Sequence, residues 1–178
     1  MTESLELGPM PSGRRMRTVD ERVVRAPSVR VFEVVRDVEA WPTHLHHYRS
    51  VRLRDRRPDG GGVVRMMAAR PFGPFDWPVW WEAEMQVLGT GGRDPAIRFR
   101  HVDGITRGME VEWSFTPSSD AVATFVRIVH EWNGPEWPLI GGVAATHVIG
   151  PLFVHGIASR TLLGLAAAAE RAPAARSG

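Results

Sequence analysis

The stretch Val79-Trp80-Trp81-Glu82-Ala83-Glu84-Met85-Gln86-Val87 sorts by parity. Val79, Trp81, Ala83, Met85 and Val87 share one face, and Glu82, Glu84 and Gln86 share the other, which is the period of a half-buried β-strand. The same sorting holds downstream. Ile97, Phe99 and His101 oppose Arg98 and Arg100; Met109, Val111, Trp113 and Phe115 oppose Glu110, Glu112 and Ser114; Val122, Thr124, Val126, Ile128 and His130 oppose Ala123, Phe125, Arg127 and Val129. The polar faces run acid, base, acid, base from strand to strand, which suits an antiparallel meander with opposite charges side by side. Glu82, Glu84, Arg98, Arg100, Glu110, Glu112 and Arg127 are therefore expected exposed on one sheet face, with Trp81, Phe99, Met109 and Trp113 opposite them.

Outward from this core, strand patterns occupy about 49–56, 62–70, 78–88, 96–102, 108–116 and 121–132. Gly- and Pro-rich turns separate them, such as Pro58-Asp59-Gly60-Gly61-Gly62 and Asp103-Gly104. Upstream, Arg17–Arg25 alternates loosely as a strand, and Ala26-Pro27-Ser28 then opens a short amphipathic helix over 28–37, with Val31, Phe32, Val34, Val35 and Val38 at helical spacing. Trp41-Pro42 ends that helix or begins a second short one. From Leu139 to Arg171 the chain is mostly apolar; Arg160 faces one side of a helical wheel, while His147, Val154, Ala158, Leu162, Leu165 and Ala169 face the other. Leu139–Ala158 carries no formal charge and is long enough to span a bilayer. Its two histidines, Pro151 and several glycines speak instead for a packed helix, bent or interrupted at the proline. The expected organisation is a flexible tail over 1–16, a single ligand-binding domain over 17–171 and a flexible tail over 172–178.

Composition narrows the chemistry. The chain has 178 residues, enough for one domain with a real core. All 22 basic residues are arginine, so the high isoelectric point reflects guanidinium chemistry and not nucleic-acid binding. The run Arg49, Arg52, Arg54, Arg56, Arg57 alternates with Val51 and Leu53 and reads as a solvated strand face. Without cysteine there is no disulfide, thiolate nucleophile or Cys-ligated metal. Met1–Arg17 has no apolar core of the secretory kind, which points to a cytoplasmic protein.

The inward faces offer Trp81, Met85, Phe99, Met109, Trp113 and Phe115, with His101 and His130 as polar members. No carboxylate pair is expected there, which argues against glycosidase chemistry. The space between sheet and helix is either filled by side chains or left as a cavity for an apolar ligand. Each histidine is either a satisfied buried imidazole or, near its ordinary pKa, a group that moves an enol or hydroxyl proton. His147 belongs with them. His44, His46 and His47 are dense, but adjacent rings need not converge on a metal. They read as a polar loop, and neither metal nor cofactor is called for.

The order of elements resembles the α+β helix-grip fold of the START/Bet v 1-like (SRPBCC) superfamily, in which a curved antiparallel sheet of about seven strands wraps around a long C-terminal helix, with two short helices after strand 1. The closest likeness is to the polyketide cyclase/aromatase and coenzyme Q-binding families. It rests on Ala26-Pro27, on Asp37-Val38-Glu39-Ala40-Trp41-Pro42 followed by Tyr48, and on the Trp113 strand. The resemblance implies binding of an apolar aromatic or polycyclic small molecule, with either a cyclase/aromatase-like activity, served by an acyl carrier protein, or a non-catalytic carriage of a quinone or lipid. It also implies a catalytic arginine on the Trp80-Trp81 strand, where this chain has Met85. Arg65 stands as a substitute cation if Val63, Arg65, Met67 and Ala69 face inward; parity favours Val64, Met66 and Ala68, and the resemblance favours Arg65. The candidate catalytic set is His101, His130 and Tyr48, and the candidate ligand-binding set is Arg65, Met67, Trp81, Ala83, Met85, Phe99, Met109, Trp113 and His147.

Overall fold

A computed structural model describes residues 6–72, 75–89, 94–134 and 154–171. Strand β1 (Met16–Val24) leads into helix α1 (Ser28–Arg36), a 3-10 turn (Val38–Ala40) and the one-turn helix α2 (Trp41–His44). Six strands follow: β2 (Tyr48–Arg54), β3 (Gly62–Phe72), β4 (Phe75–Leu88), β5 (Ala96–Gly104), β6 (Glu110–Pro117) and β7 (Thr124–Trp132). Helix α3 (His155–Arg171) closes the described chain. His147, and the rest of the segment 139–153, lie outside the described residues, as does 172–178.

The seven strands form one antiparallel sheet in the order β1-β7-β6-β5-β4-β3-β2. This is the helix-grip α+β fold. Helix α1 forms because Pro27 presets its backbone at the helix entry and Val31, Phe32 and Val35 make a single buried stripe. In α2, Pro42 sits in the first turn, and the buried Trp41 indole donates to the Val35 carbonyl at 3.0 Å, which ties α2 to α1. Helix α3 buries Ala158, Thr161, Leu162, Leu165, Ala166, Ala168 and Ala169. At Gly164 an added Cβ would run into the end of the Leu45 side chain, so any larger residue there requires the buried Leu45 to shift.

The parity reading of the strands holds in the register. Glu84 pairs with Arg100, Arg100 with Glu110, and Arg98 with Glu112. Trp81, Phe99, Met109 and Trp113 are buried on the opposite, inner face. The expected exposure of the charged face requires correction. Arg98 is 1% and Glu110 3% exposed, because the segment before β1 lies over them. Arg98 donates to the Gly8 carbonyl at 2.8 Å, Arg100 to the Leu7 carbonyl at 3.0 Å, and the Gln86 side-chain oxygen accepts from the Leu7 amide at 3.0 Å. The Leu7 side chain is buried, and the Arg14 guanidinium donates to the Gly108 carbonyl at 2.7 Å. From Leu7 to Arg14 the expected flexible tail is thus a strap, held chiefly through its backbone.

A second correction concerns β3. Its inward residues are Val64, Met66 and Ala68, all buried, while Arg65 and Met67 point to the outer face. Arg65 is drawn there by its cross-strand neighbour Glu82, 3.5 Å away, and its guanidinium lies 5.2 Å over the Trp80 ring. Arg65 therefore supplies no cation to the interior, and Met67 no wall.

Candidate functional site

Between the inner face of the sheet and the first two turns of α3 lies a cavity of about 70 Å³. Its aromatic wall comes from α2 and from β2, β4, β5 and β6. Trp41 packs on Tyr48 at 5.5 Å and on Trp113 at 6.0 Å between ring centroids, and Tyr48 meets Trp81 edge-on at 6.0 Å. Phe99, Met66, Met109, Val111 and Ile128 complete the sheet side, and Val154, Ile157, Ala158 and Thr161 form the helix side. The volume is well below the ~300 Å³ at which small-molecule pockets usually begin. A guest with two or more rings enters only if these walls part.

Four polar side chains reach this apolar space: His101, Thr106, His130 and Thr161, beside the Tyr48 ring. Strand parity brings His101 and His130 inward from β5 and β7. His101 lies parallel to the Trp81 ring, 6.0 Å between centroids and 11° between planes, and its Nδ1 is 2.6 Å from the Thr106 hydroxyl. The His130 Nδ1 is 3.2 Å from the Thr18 hydroxyl on β1. Burial pushes the His101 imidazole down to about 3, and neighbouring His130 acts in the same direction. His130 falls to about 3, first through burial and then through His155. Both rings are neutral at physiological pH. The expected imidazole near its ordinary pKa is not what the fold provides, and proton abstraction by either ring is correspondingly weak.

The inner face also holds a carboxyl that the alternation of β1 did not reveal. Asp20 pairs in register with Ile128, is 4% exposed, and meets the His155 Nδ1 at 2.7 Å. Burial raises its pKa, while the charge and hydrogen bond of His155 oppose the rise. The other oxygen of Asp20 has no hydrogen-bond partner among the described residues. This link pins the start of α3 to the edge strand β1.

The remaining candidates separate as follows. Tyr48, Trp81, Phe99, His101, Met109, Trp113 and His130 all line the cavity. Ala83 and Met85 are completely buried in the core but do not line it. Arg65 and Met67 are on the outer face. Trp41, Ile105, Thr106 and Thr161 are lining residues that the sequence-derived set lacked. Thr161 is three positions after Ala158 and was within reach of the helical wheel; Thr106, in a turn without period, was not. His44 and His46 are exposed, and His47 is hydrogen-bonded to Thr161 at 3.2 Å. Among the described residues no three His, Asp or Glu side chains converge to hold a metal, and no helix is long and apolar enough to cross a membrane.

Comparison with known proteins adds the lineage. The family described as polyketide cyclase / dehydrase and lipid transport matches residues 24–148. The chain belongs to this family. The matched span runs from the end of β1 through β7, so it includes every strand residue of the cavity. No curated protein matches the sequence. Among solved structures, a Thermus thermophilus protein is similar at 22% identity and a TM-score of 0.70, covering 86% of this chain and 96% of its own. The Zhui aromatase/cyclase from a Streptomyces species has 19% identity and a TM-score of 0.70, covering 91% and 98%. A START superfamily protein from Mycobacterium smegmatis has 17% identity and a TM-score of 0.60, covering 87% and 94%. At these identities the likeness shows the fold alone. The family match is what supports a hydrophobic ligand-binding domain.

Proposed function

We propose that the chain binds an aromatic or polycyclic apolar molecule in the cavity under α3 and steers the ring closure of a polyketide-type substrate there. The observation that carries this reading is the wall of Trp41, Tyr48, Trp81, Phe99 and Trp113 around two uncharged imidazoles. A flat, oxygenated guest finds stacking surfaces and a few hydrogen-bonding groups in such a site, and no fixed charge. Aldol closure of a poly-β-ketone removes a proton from a methylene already acidified by two carbonyls, forms a carbon–carbon bond to a third carbonyl, and returns the proton to the new alkoxide. The cavity contributes by selecting one folded form of the chain and by hydrogen bonds from Tyr48, His101 and His130 to the oxygen that gains charge. A cytoplasmic location and delivery by an acyl carrier protein belong to the same proposal.

Two features favour a second reading, non-catalytic carriage of a quinone or lipid. Both histidines are weak bases, and Met85 stands where a catalytic arginine was implied. Native mass spectrometry of freshly purified protein, followed by titration of tryptophan fluorescence with what co-purifies, tests binding. Incubation with a reactive polyketone then separates the two readings. A changed product distribution supports steering, whereas binding with products identical to those formed without protein leaves carriage.

A further inference from the structure

We propose that the outer face of the sheet, where β3, β4 and the turn after β5 meet, docks on an anionic lipid surface, with Trp80 and Met67 entering the headgroup region and Arg52 and Arg65 meeting lipid phosphates. The inference goes beyond the reading of the cavity and does not depend on it.

Over β5 and β6 the outer face is charged, paired and covered by the strap. At the β3–β4 end its character changes. Met67 and Trp80 are direct cross-strand neighbours, 41% and 40% exposed. The Ile105 amide donates to the Trp80 carbonyl at 3.5 Å, and Ile105 is 38% exposed. Single apolar side chains on a surface are ordinary, whereas three at neighbouring positions on one face mark a contact area. Ile105 also lines the cavity, so the strip runs to the cavity's rim. In the other direction the backbone ladder continues past Met67 and Trp80 to Phe72 opposite Phe75. The sequence there, Pro71-Phe72-Gly73-Pro74-Phe75-Asp76-Trp77, adds three aromatic residues and a single acid.

The charges around the strip name the partner's sign. Arg65 stands directly opposite Arg52, a like-charge pair where opposite charges would be favoured. Glu82 lies 3.5 Å from Arg65 and accepts from Arg54 at 2.8 Å, so one carboxylate answers two guanidiniums. Arg52 is exposed and has no ion-pair partner among the described residues. Asp103, opposite Glu82 on β5, is the second acid, and the exposed Arg107 in the following turn is a further base. The strip is thus bordered by Arg52, Arg54, Arg65 and Arg107 against Glu82 and Asp103. An excess of guanidinium around an exposed indole suits a surface that is apolar below and rich in phosphate above. The ring sits at headgroup level, and each arginine lays its stem along the apolar layer while its head stays with the phosphates.

The test sediments the full chain with vesicles of phosphatidylcholine alone and of phosphatidylcholine mixed with phosphatidylglycerol. The wild type should pellet with the anionic vesicles and stay in solution with the zwitterionic ones, and added salt should release it. Trp80→Gln should weaken partition by about tenfold, because the exposed part of the indole no longer enters the apolar layer. Arg52→Gln should weaken it by about fivefold, the worth of one basic residue at an anionic surface. Arg22→Gln removes the same charge from an exposed position on β1, at the far edge of the sheet, and should bind as the wild type does. Should Trp80→Gln not fold, Arg52→Gln against Arg22→Gln carries the comparison. Failure of the wild type to sediment, equal sedimentation with both kinds of vesicle, or undiminished binding by a folded Trp80→Gln overturns the proposal. So does binding of an acyl carrier protein that Trp80→Gln and Arg52→Gln abolish while vesicles are ignored, which would assign the strip to a protein partner. No readout involves a guest in the cavity, so failure here leaves the cavity reading standing.

Discussion

Acidification should destabilise this protein through His101 and His130 specifically. Each ring is neutral in the folded state down to about pH 3 and takes up a proton near 6.5 when unfolded. Between these values the unfolded chain holds more protons, so stability is complete above about 6.5 and falls as the pH drops. The slope is about 1.4 kcal/mol per pH unit for each ring. From neutrality to pH 5 the pair therefore costs about 4 kcal/mol, which for a domain of this length lowers Tm by about 10 °C. Asp20 acts in the opposite direction, because a raised carboxyl pKa lets the folded state hold a proton that the unfolded state has lost. The comparison that isolates the histidines is wild type against His101→Gln/His130→Gln, by thermal and urea unfolding at pH 7, 6 and 5. The double variant should start less stable and lose little on acidification. An equal loss in both proteins over this range would mean that the rings are not buried as neutral imidazoles.

Three further outcomes follow from packing. Ala158→Leu places three carbons in the cavity from the helix side and should abolish the fluorescence response to aromatic ligands while leaving Tm within a few degrees; unchanged affinity would put the ligand elsewhere. Leu7→Ala should destabilise by about 2 kcal/mol in urea unfolding, because it removes the buried side chain of the strap, and a neutral result would show the strap detached in solution. Gly164→Ala gains up to about 1 kcal/mol of helix propensity but forces α3 off Leu45, at about 1–3 kcal/mol. A net loss of Tm is expected, and a gain would contradict the close approach of α3.

The strand meander was legible because one face of a sheet repeats every second residue, and that repeat delivered Trp81, Phe99, Met109, Trp113, His101 and His130 to the cavity. For Arg65 parity and the resemblance pointed to opposite faces and the sequence left the choice open; the structure sides with parity, with Arg65 beside Glu82 on the outer face. Ala83 and Met85 have the right parity, but parity fixes only a face, and depth along the strand decides between core and cavity. Asp20 was hidden because the inner row of β1, Met16, Thr18, Asp20, Arg22 and Val24, is too mixed to declare a face. Its carboxyl is tolerated there because His155 arrives from α3. The strap and Thr106 left no trace in the sequence. The first is bound largely through main-chain groups, and the second works from a turn, where no period exists.

The first strand of the sheet is paired with the last, and Thr18 and His130, which meet across that seam, are 112 positions apart. During synthesis β1 therefore leaves the ribosome long before its partner exists, and every other strand must be laid down before the edge near α3 can close. Loop closure of this length precedes any reward from the contacts it makes, so the seam is a late and slow event in folding. A chain interrupted before β7 would hold β1 as an unsatisfied strand, able to pair with another molecule. The Thr18 hydroxyl therefore reaches the His130 ring only when this last seam of the sheet closes.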